Sequence, residues 1–231
     1  MSEVHTMKVI AHIHSDFATK FGIPRQSGLI PELQATIVFE PEYRNADALR
    51  DIEGFNYLWL IWQFSKAVRQ DWSPTVRPPR LGGNTRVGVF ATRSPFRPNP
   101  IGLSSVHLEG VEVHPEWGPV LHISGADLMD GTPIYDIKPY IPYADCHADA
   151  LGGFTADTPR RMLDVVFPEA LLLKVPEEKR AAWQAVLAND PRPSYQNDPK
   201  RVYGFTFAQQ EIHFTVEENK LTVCGVEPAV L

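Results

Sequence analysis

Between Pro74 and Gly102 there is no acidic residue, although the chain of 231 residues carries 28 Asp and Glu against 22 Lys and Arg, a formal net charge of -6. Cysteine is scarce as well. Cys146 and Cys224 stand far apart with no C-x-x-C spacing, which argues against a disulfide framework or a thiolate zinc site and predicts two free thiols. Long apolar runs are missing: the longest, Tyr57 to Trp62, is far short of the roughly 20 residues of a membrane-spanning helix. The first residues lack a basic start followed by an apolar stretch, so the expectation is a cytoplasmic protein with no membrane partner. Nucleotide signatures are missing too. With no G-x-G-x-x-G, no G-x-x-x-x-G-K-[ST] and no alternation of strands with long helices, a doubly wound fold is not expected.

What is abundant is proline. Twenty-one prolines argue for short strands, turns and rigid loops in place of long helices. Strands are expected at Met7–His14, Gln34–Phe39, Phe55–Phe64 (buried on both faces), Arg86–Thr92, Ser104–His114 and Val120–Ile123, with a helix over Tyr43–Ile52 capped by Asn45. The fold class is mainly β with some α: a barrel-like N-terminal domain over 7–147 and a small α+β domain over 162–231. The small, polar stretch 148–161 reads as the linker. In the second unit MLDVVF reads as a strand, Pro176–Asn189 as a helix, and Val202–Cys224 as a meander.

Pro74–Gly102 holds Arg77, Arg80, Arg86, Arg93 and Arg97 among six prolines and four glycines, a composition that fixes guanidinium groups in place to meet an anionic or partly anionic ligand. Pro24-Arg25-Gln26 sits in a loop after the first strand. Asp130-Gly131-Thr132-Pro133 is a turn whose carboxylate, hydroxyl and amides suit a ribose or an amino-acid head group. His12 and His14 share one side of a strand, yet no third ligand is placed by spacing, so they read as strand histidines and no metal is expected. Ser104, Ser105 and His107 lack a nucleophile elbow and read as strand residues.

Taken together, PRQSGL, VRPPRLGGNTRVGVFATRSPFRPNPIGLS, DLMDGTPIYDIKPYIPYAD and DPRPSY resemble the TsaA-like, or TrmO, family of tRNA methyltransferases over almost the whole chain. The resemblance implies a β-barrel methyltransferase, S-adenosylmethionine as methyl donor, a homodimer, and N6-threonylcarbamoyladenosine at position 37 of threonine tRNA as substrate. It also implies cofactor contacts at Pro24, Arg25, Gln26, Ser65, Lys66, Arg93, Leu103, Asp130, Gly131, Thr132 and Pro133. Ser65-Lys66 stands where members often carry His and a polar residue. Arg77, Arg80, Arg86, Arg97 and, in DPRPSY, Arg192 are then candidates to meet tRNA. Methyl transfer to an acylated N6 also wants a proton acceptor, for which Asp136, Tyr140 and Asp127 are equal candidates on sequence alone. The alternatives are a non-catalytic S-adenosylmethionine- or RNA-binding module, or a methyltransferase for a different adenosine.

Overall fold

The computed structural model describes residues 3–66, 71–156, 162–192 and 198–229, without the side chain of Arg80. Twelve strands occur among these residues: β1 (Ala11–Ser15), β2 (Gln34–Phe39), β3 (Tyr57–Gln63), β4 (Thr75–Val76), β5 (Val87–Gly88), β6 (Ile101–His114), β7 (Gly118–Ser124), β8 (Pro133–Pro139), β9 (Asp164–Val166), β10 (Tyr203–Phe207), β11 (Gln210–Glu217) and β12 (Lys220–Pro228). Three α-helices, α1 (Pro142–Asp145), α2 (Glu169–Leu172) and α3 (Arg180–Ala188), accompany them.

Six strands close into an antiparallel barrel in the order β1-β2-β7-β6-β3-β8, with β8 returning to β1 through Ala11 opposite Ile134. Alternation drives the closure. Ala11 and Ile13 of β1, Ile37 of β2, Leu58 and Leu60 of β3, Leu121 and Ile123 of β7 and Ile134 of β8 point inward and are almost wholly buried. Each such Leu or Ile contributes about 1.5–3 kcal/mol, and closure leaves no open sheet edge.

Strand β3 alternates where burial on both faces was expected: Leu58, Leu60 and Trp62 are buried, while Tyr57 is exposed and Trp59 and Ile61 are half-buried. A closed barrel has a single inner face, so the apolar outer residues are only partly covered. Trp59, for instance, leans on Tyr140 and donates to Asp145 of α1. The expected helix over Tyr43–Ile52 is instead a series of 3-10 turns, interrupted by Asp51 in the left-handed region at φ 65°. Asn45 does cap the turn at 46–49, accepting from the amide of Asp47 at 3.0 Å. Arg86–Thr92 contributes only the two residues of β5, which pair with β4 before a 3-10 turn at 89–91.

The second unit is a four-stranded sheet, β10-β11-β12-β9, with α3 packed on it through Trp183, Val186 and Leu187. Its core is not made by this unit alone. Phe17, Ile30 and Leu33, from the long loop between β1 and β2, are buried in the same cluster. Asp16 adds an ion pair to Lys179 at 2.5 Å.

Candidate active site

One cavity of about 500 Å³ opens at the end of the barrel where β3 runs out and β6 begins, within the size range of small-molecule sites. Its walls come from five stretches of chain. Pro24, Arg25 and Gln26 of the first loop form one side, and Ser65 and Lys66 after β3 form another. Arg93 and Arg97 enter from the Arg/Pro/Gly segment, Leu103 from β6, and Asp127 and Thr132 from the loop before β8.

The cationic side is organised. Arg93 donates from Nη1 to Gln26 Oε1 at 2.6 Å, and Gln26 donates in turn to the carbonyl of Arg25. This tether joins two loops 67 residues apart in sequence, and Arg25 and Arg93 line the same cavity.

The floor was not legible as a site from the sequence. Trp62 and Phe64 line it, with ring centroids 4.3 Å apart, beside Met129. Trp62 lies directly opposite Gly102, and a Cβ at Gly102 would fall 2.2 Å from the indole ring, so only glycine admits the ring at this height in the barrel. The signal available was the i, i+2 spacing of Leu58, Leu60 and Trp62, which marks the indole as inward but does not say that the barrel opens there.

Asp127 is the one acidic residue on this wall among the described residues. It accepts from the hydroxyl of Ser104 at 2.5 Å, and Ser104 Oγ accepts from Trp62 Nε1 at 2.9 Å. Burial pushes the Asp127 carboxyl above its ordinary range, while Ser104, the backbone amides of Asp127 and Ser27, and the charge of Arg93 pull it back. The other two candidate acceptors lie elsewhere. Asp136, on β8, accepts from its neighbour's amide and pairs with Lys138 at 2.7 Å. Tyr140 packs edge-on to Tyr57 and beside Trp59, its phenol pushed up by desolvation and by Cys146.

The turn at Asp130 divides its residues between two places. Thr132 borders the cavity, but its hydroxyl donates to the Met129 carbonyl at 2.6 Å, and the amides of Asp130 and Gly131 donate to Phe17 and Ile13. The donors anticipated for a ligand are thus engaged within the protein. The Asp130 carboxylate faces a second cavity of about 490 Å³, where it accepts from the Ser15 amide at 3.1 Å and lies 3.4 Å from His14. Gly131 has φ +70° and forms the turn itself, and Pro133 begins β8 opposite His12. His12 pairs with Glu40 at 2.8 Å, and His14 stacks on Trp117.

The remaining arginines are scattered. Arg77 is exposed beyond the cavity, and Arg86, also exposed, donates to Thr75 Oγ1 at 2.9 Å. The side chain of Arg80 lies outside the described residues. Arg192 is bound bidentately by Asp190, both contacts at 2.8 Å, and its guanidinium lies over the Tyr203 ring, as befits a strut. The DPRPSY motif beyond it, 193–195, also lies outside the described residues. Next to Arg97 two exposed aromatic rings, Phe90 of the segment and Trp72 just before it, stack at 6.2 Å with Arg97 over Phe90.

Residues 12–146 match the family model of the tRNA-methyltransferase O N-terminal domain, and residues 161–229 match that of the TrmO C-terminal domain. The chain is 39% identical to the tRNA (adenine(37)-N6)-methyltransferase of Escherichia coli K12, covering 95% of this chain and 96% of the relative. It is 42% identical to a putative S-adenosylmethionine-dependent methyltransferase, RcsF, of Pseudomonas aeruginosa, over 91% and 92% of the two chains. A crystal structure of TrmO from P. aeruginosa superposes with a TM-score of 0.80 at 34% identity, covering 99% of both chains. With both domains matched along nearly its full length, the chain belongs to the TrmO family.

Proposed function

We propose that this protein transfers a methyl group from S-adenosylmethionine to N6 of N6-threonylcarbamoyladenosine at position 37 of threonine tRNA. The observation that carries the reading is the cavity itself: the arginines Arg25 and Arg93, an aromatic floor and, among the described residues, one partly buried carboxylate line it together, in a chain that matches relatives named adenine(37)-N6 methyltransferases.

The residues present fit the methyl donor. Arg25 and Arg93 suit its carboxylate, Trp62 and Phe64 suit a sulfonium cation, and Leu103 suits the adenine or the thioether arm. Bound there, S-adenosylmethionine supplies an electrophilic methyl on sulfur. Displacement forms the N6–C bond and breaks the C–S bond, whose electron pair stays on sulfur, and the N6 proton must leave. Acylation by the carbamoyl group makes that proton easier to lose, and Asp127 is the acceptor in place to take it. Positioning supplies most of the remaining rate.

Arg97 is assigned to the threonyl carboxylate of the modified base, and Arg77 and Arg86 to phosphates. Phe90 and Trp72 offer faces for a neighbouring unstacked base. Residues 162–231 are assigned the bracing of the first loop and a further contact with tRNA, for which exposed Lys200 and Arg201 are better disposed than the paired Arg192. Assembly as a homodimer is in keeping with the exposed Leu103 at the cavity, and a cytoplasmic location is in keeping with a tRNA substrate.

The test is incubation with methyl-labelled S-adenosylmethionine and tRNA with or without the threonylcarbamoyl group. Label is expected in the modified nucleoside only. Folded protein that binds the donor and labels nothing supports a binding module, and label in unmodified tRNA supports a different adenosine.

A further inference from the structure

We propose that Ser104 is a positioning residue for methyl transfer: with Trp62 as a fixed donor behind it, its hydroxyl must donate to Asp127, and it thereby holds that carboxylate in accepting form at the cavity wall. The inference rests on the reading of Asp127 as the proton acceptor and extends it to two residues that do not take the proton themselves.

The direction of the relay follows from inventory. An indole N–H only donates, and a serine hydroxyl has one proton. Trp62 Nε1 lies 2.9 Å from Ser104 Oγ, so that oxygen is the acceptor of the first bond and its own proton must go elsewhere. The other polar partner at hydrogen-bond distance is Asp127 Oδ1, at 2.5 Å. Water does not compete, because Ser104 is 1% and Trp62 7% exposed. The indole cannot turn away either, wedged as it is between the Gly102 backbone and the Phe64 ring.

Other charges face Asp127. Arg93 acts on it from the Arg/Pro/Gly segment, and Lys20, Arg25, Lys66 and Arg97 line the same cavity, while amides of Ser27 and of Asp127 itself donate to the carboxylate. Apart from the half-buried Arg97, those side-chain charges are exposed, and a bound anion will partly neutralise them. Among the described residues Ser104 is the one side-chain donor to Asp127 held inside the barrel wall, buried where solvent does not reach its bond.

The experiment is the pH profile of single-turnover methyl transfer to threonylcarbamoylated tRNA, with donor affinity measured by calorimetry on the same proteins. Without the Ser104 bond the carboxyl holds its proton more tightly. In Ser104→Ala the acid-side limb is therefore expected to move up by about one pH unit, a roughly tenfold loss of rate on the acid side, with the loss made good as pH rises. Ser104→Thr restores the limb, and Trp62→Phe, which keeps a ring opposite Gly102 but has no N–H, shifts it less and in the same direction. An unmoved limb in folded Ser104→Ala overturns the proposal, and if that variant does not fold, an unmoved limb in Trp62→Phe does so. Asp127→Asn separates the two ideas. If it methylates at the wild-type rate, the acceptor reading fails and the relay with it. If it is inactive while Ser104→Ala keeps the wild-type profile, the relay alone is wrong.

Discussion

Phe17, in the loop that follows the first barrel strand, stacks at a tilt on Phe207 of the C-terminal sheet, with ring centroids 4.8 Å apart. The loop that carries Pro24, Arg25 and Gln26 is thereby held at both flanks by the smaller domain: Phe17 enters its core before them and Ile30 and Leu33 after them. Between these anchors Gly22, at φ +80°, lies so close to Phe205 that a Cβ would come within 2.5 Å of the ring.

Gly22→Ala is accordingly expected to cost about 1–3 kcal/mol through left-handed strain and displacement of Phe205. Because the same loop positions Arg25 and Gln26, donor affinity should fall several-fold in protein that remains folded, measured by calorimetry beside a thermal melt. A lower melting temperature with unchanged affinity would separate the loop's fold from its function.

Arg93→Ala should weaken binding of S-adenosylmethionine by about 10- to 100-fold, since a charge-assisted contact contributes about 1.5–3 kcal/mol and the Gln26 tether goes with it. Arg192→Ala should leave donor affinity alone and lower stability, because Asp190 loses a bidentate partner. The pair of calorimetric titrations and melts checks both directions at once.

Phe90→Ala should raise the tRNA concentration needed for half-maximal rate by roughly 5- to 100-fold, as expected for losing one base-stacking face worth about 1–3 kcal/mol. Donor affinity should not change. Sedimentation of the same variant distinguishes this from a contact between two copies, in which case Phe90→Ala would dissociate the assembly.

Asp127→Asn should be at least as stable as the natural protein near neutral pH while losing methyl transfer. The folded protein holds the Asp127 proton more tightly than the unfolded chain, its carboxyl being raised by burial, so stability is fullest below the unfolded value and declines as pH rises through the folded one. Asparagine keeps an acceptor for Ser104 and removes the desolvated charge. Melts across acid to neutral pH check this: the natural protein should lose stability over that window relative to the variant.

Much of the barrel was legible because its strands alternate. Ile13, Ile37 and Leu121, aligned across β1, β2 and β7, are where period two puts them. Tyr43–Ile52 misled because helical spacing says nothing of backbone hand, and Asp51 breaks the helix by adopting a left-handed conformation usually left to glycine. The Arg/Pro/Gly segment advertised a site through composition, and Arg93 and Arg97 do reach one cavity, while Arg77 and Arg86 face outward. Asp127, Asp136 and Tyr140 were indistinguishable in the sequence, since only the fold sets Ser104, 23 residues away, against Asp127 at the cavity, while Asp136 pairs with Lys138 on its own strand and Tyr140 packs on Tyr57 of β3. Asp130 was expected among the cofactor contacts, yet it borders the second cavity, because the hydrogen bonds that make its turn aim the carboxylate at Ser15 and His14.

Mass spectrometry of nucleosides from tRNA, after incubation with S-adenosylmethionine and either natural or Asp127→Asn protein, tests the central claim most directly. The expected result is one added methyl on N6-threonylcarbamoyladenosine with the natural protein and none with the variant, both binding the donor. Methylated product at equal rates from the two proteins, or none from the natural one, would contradict it.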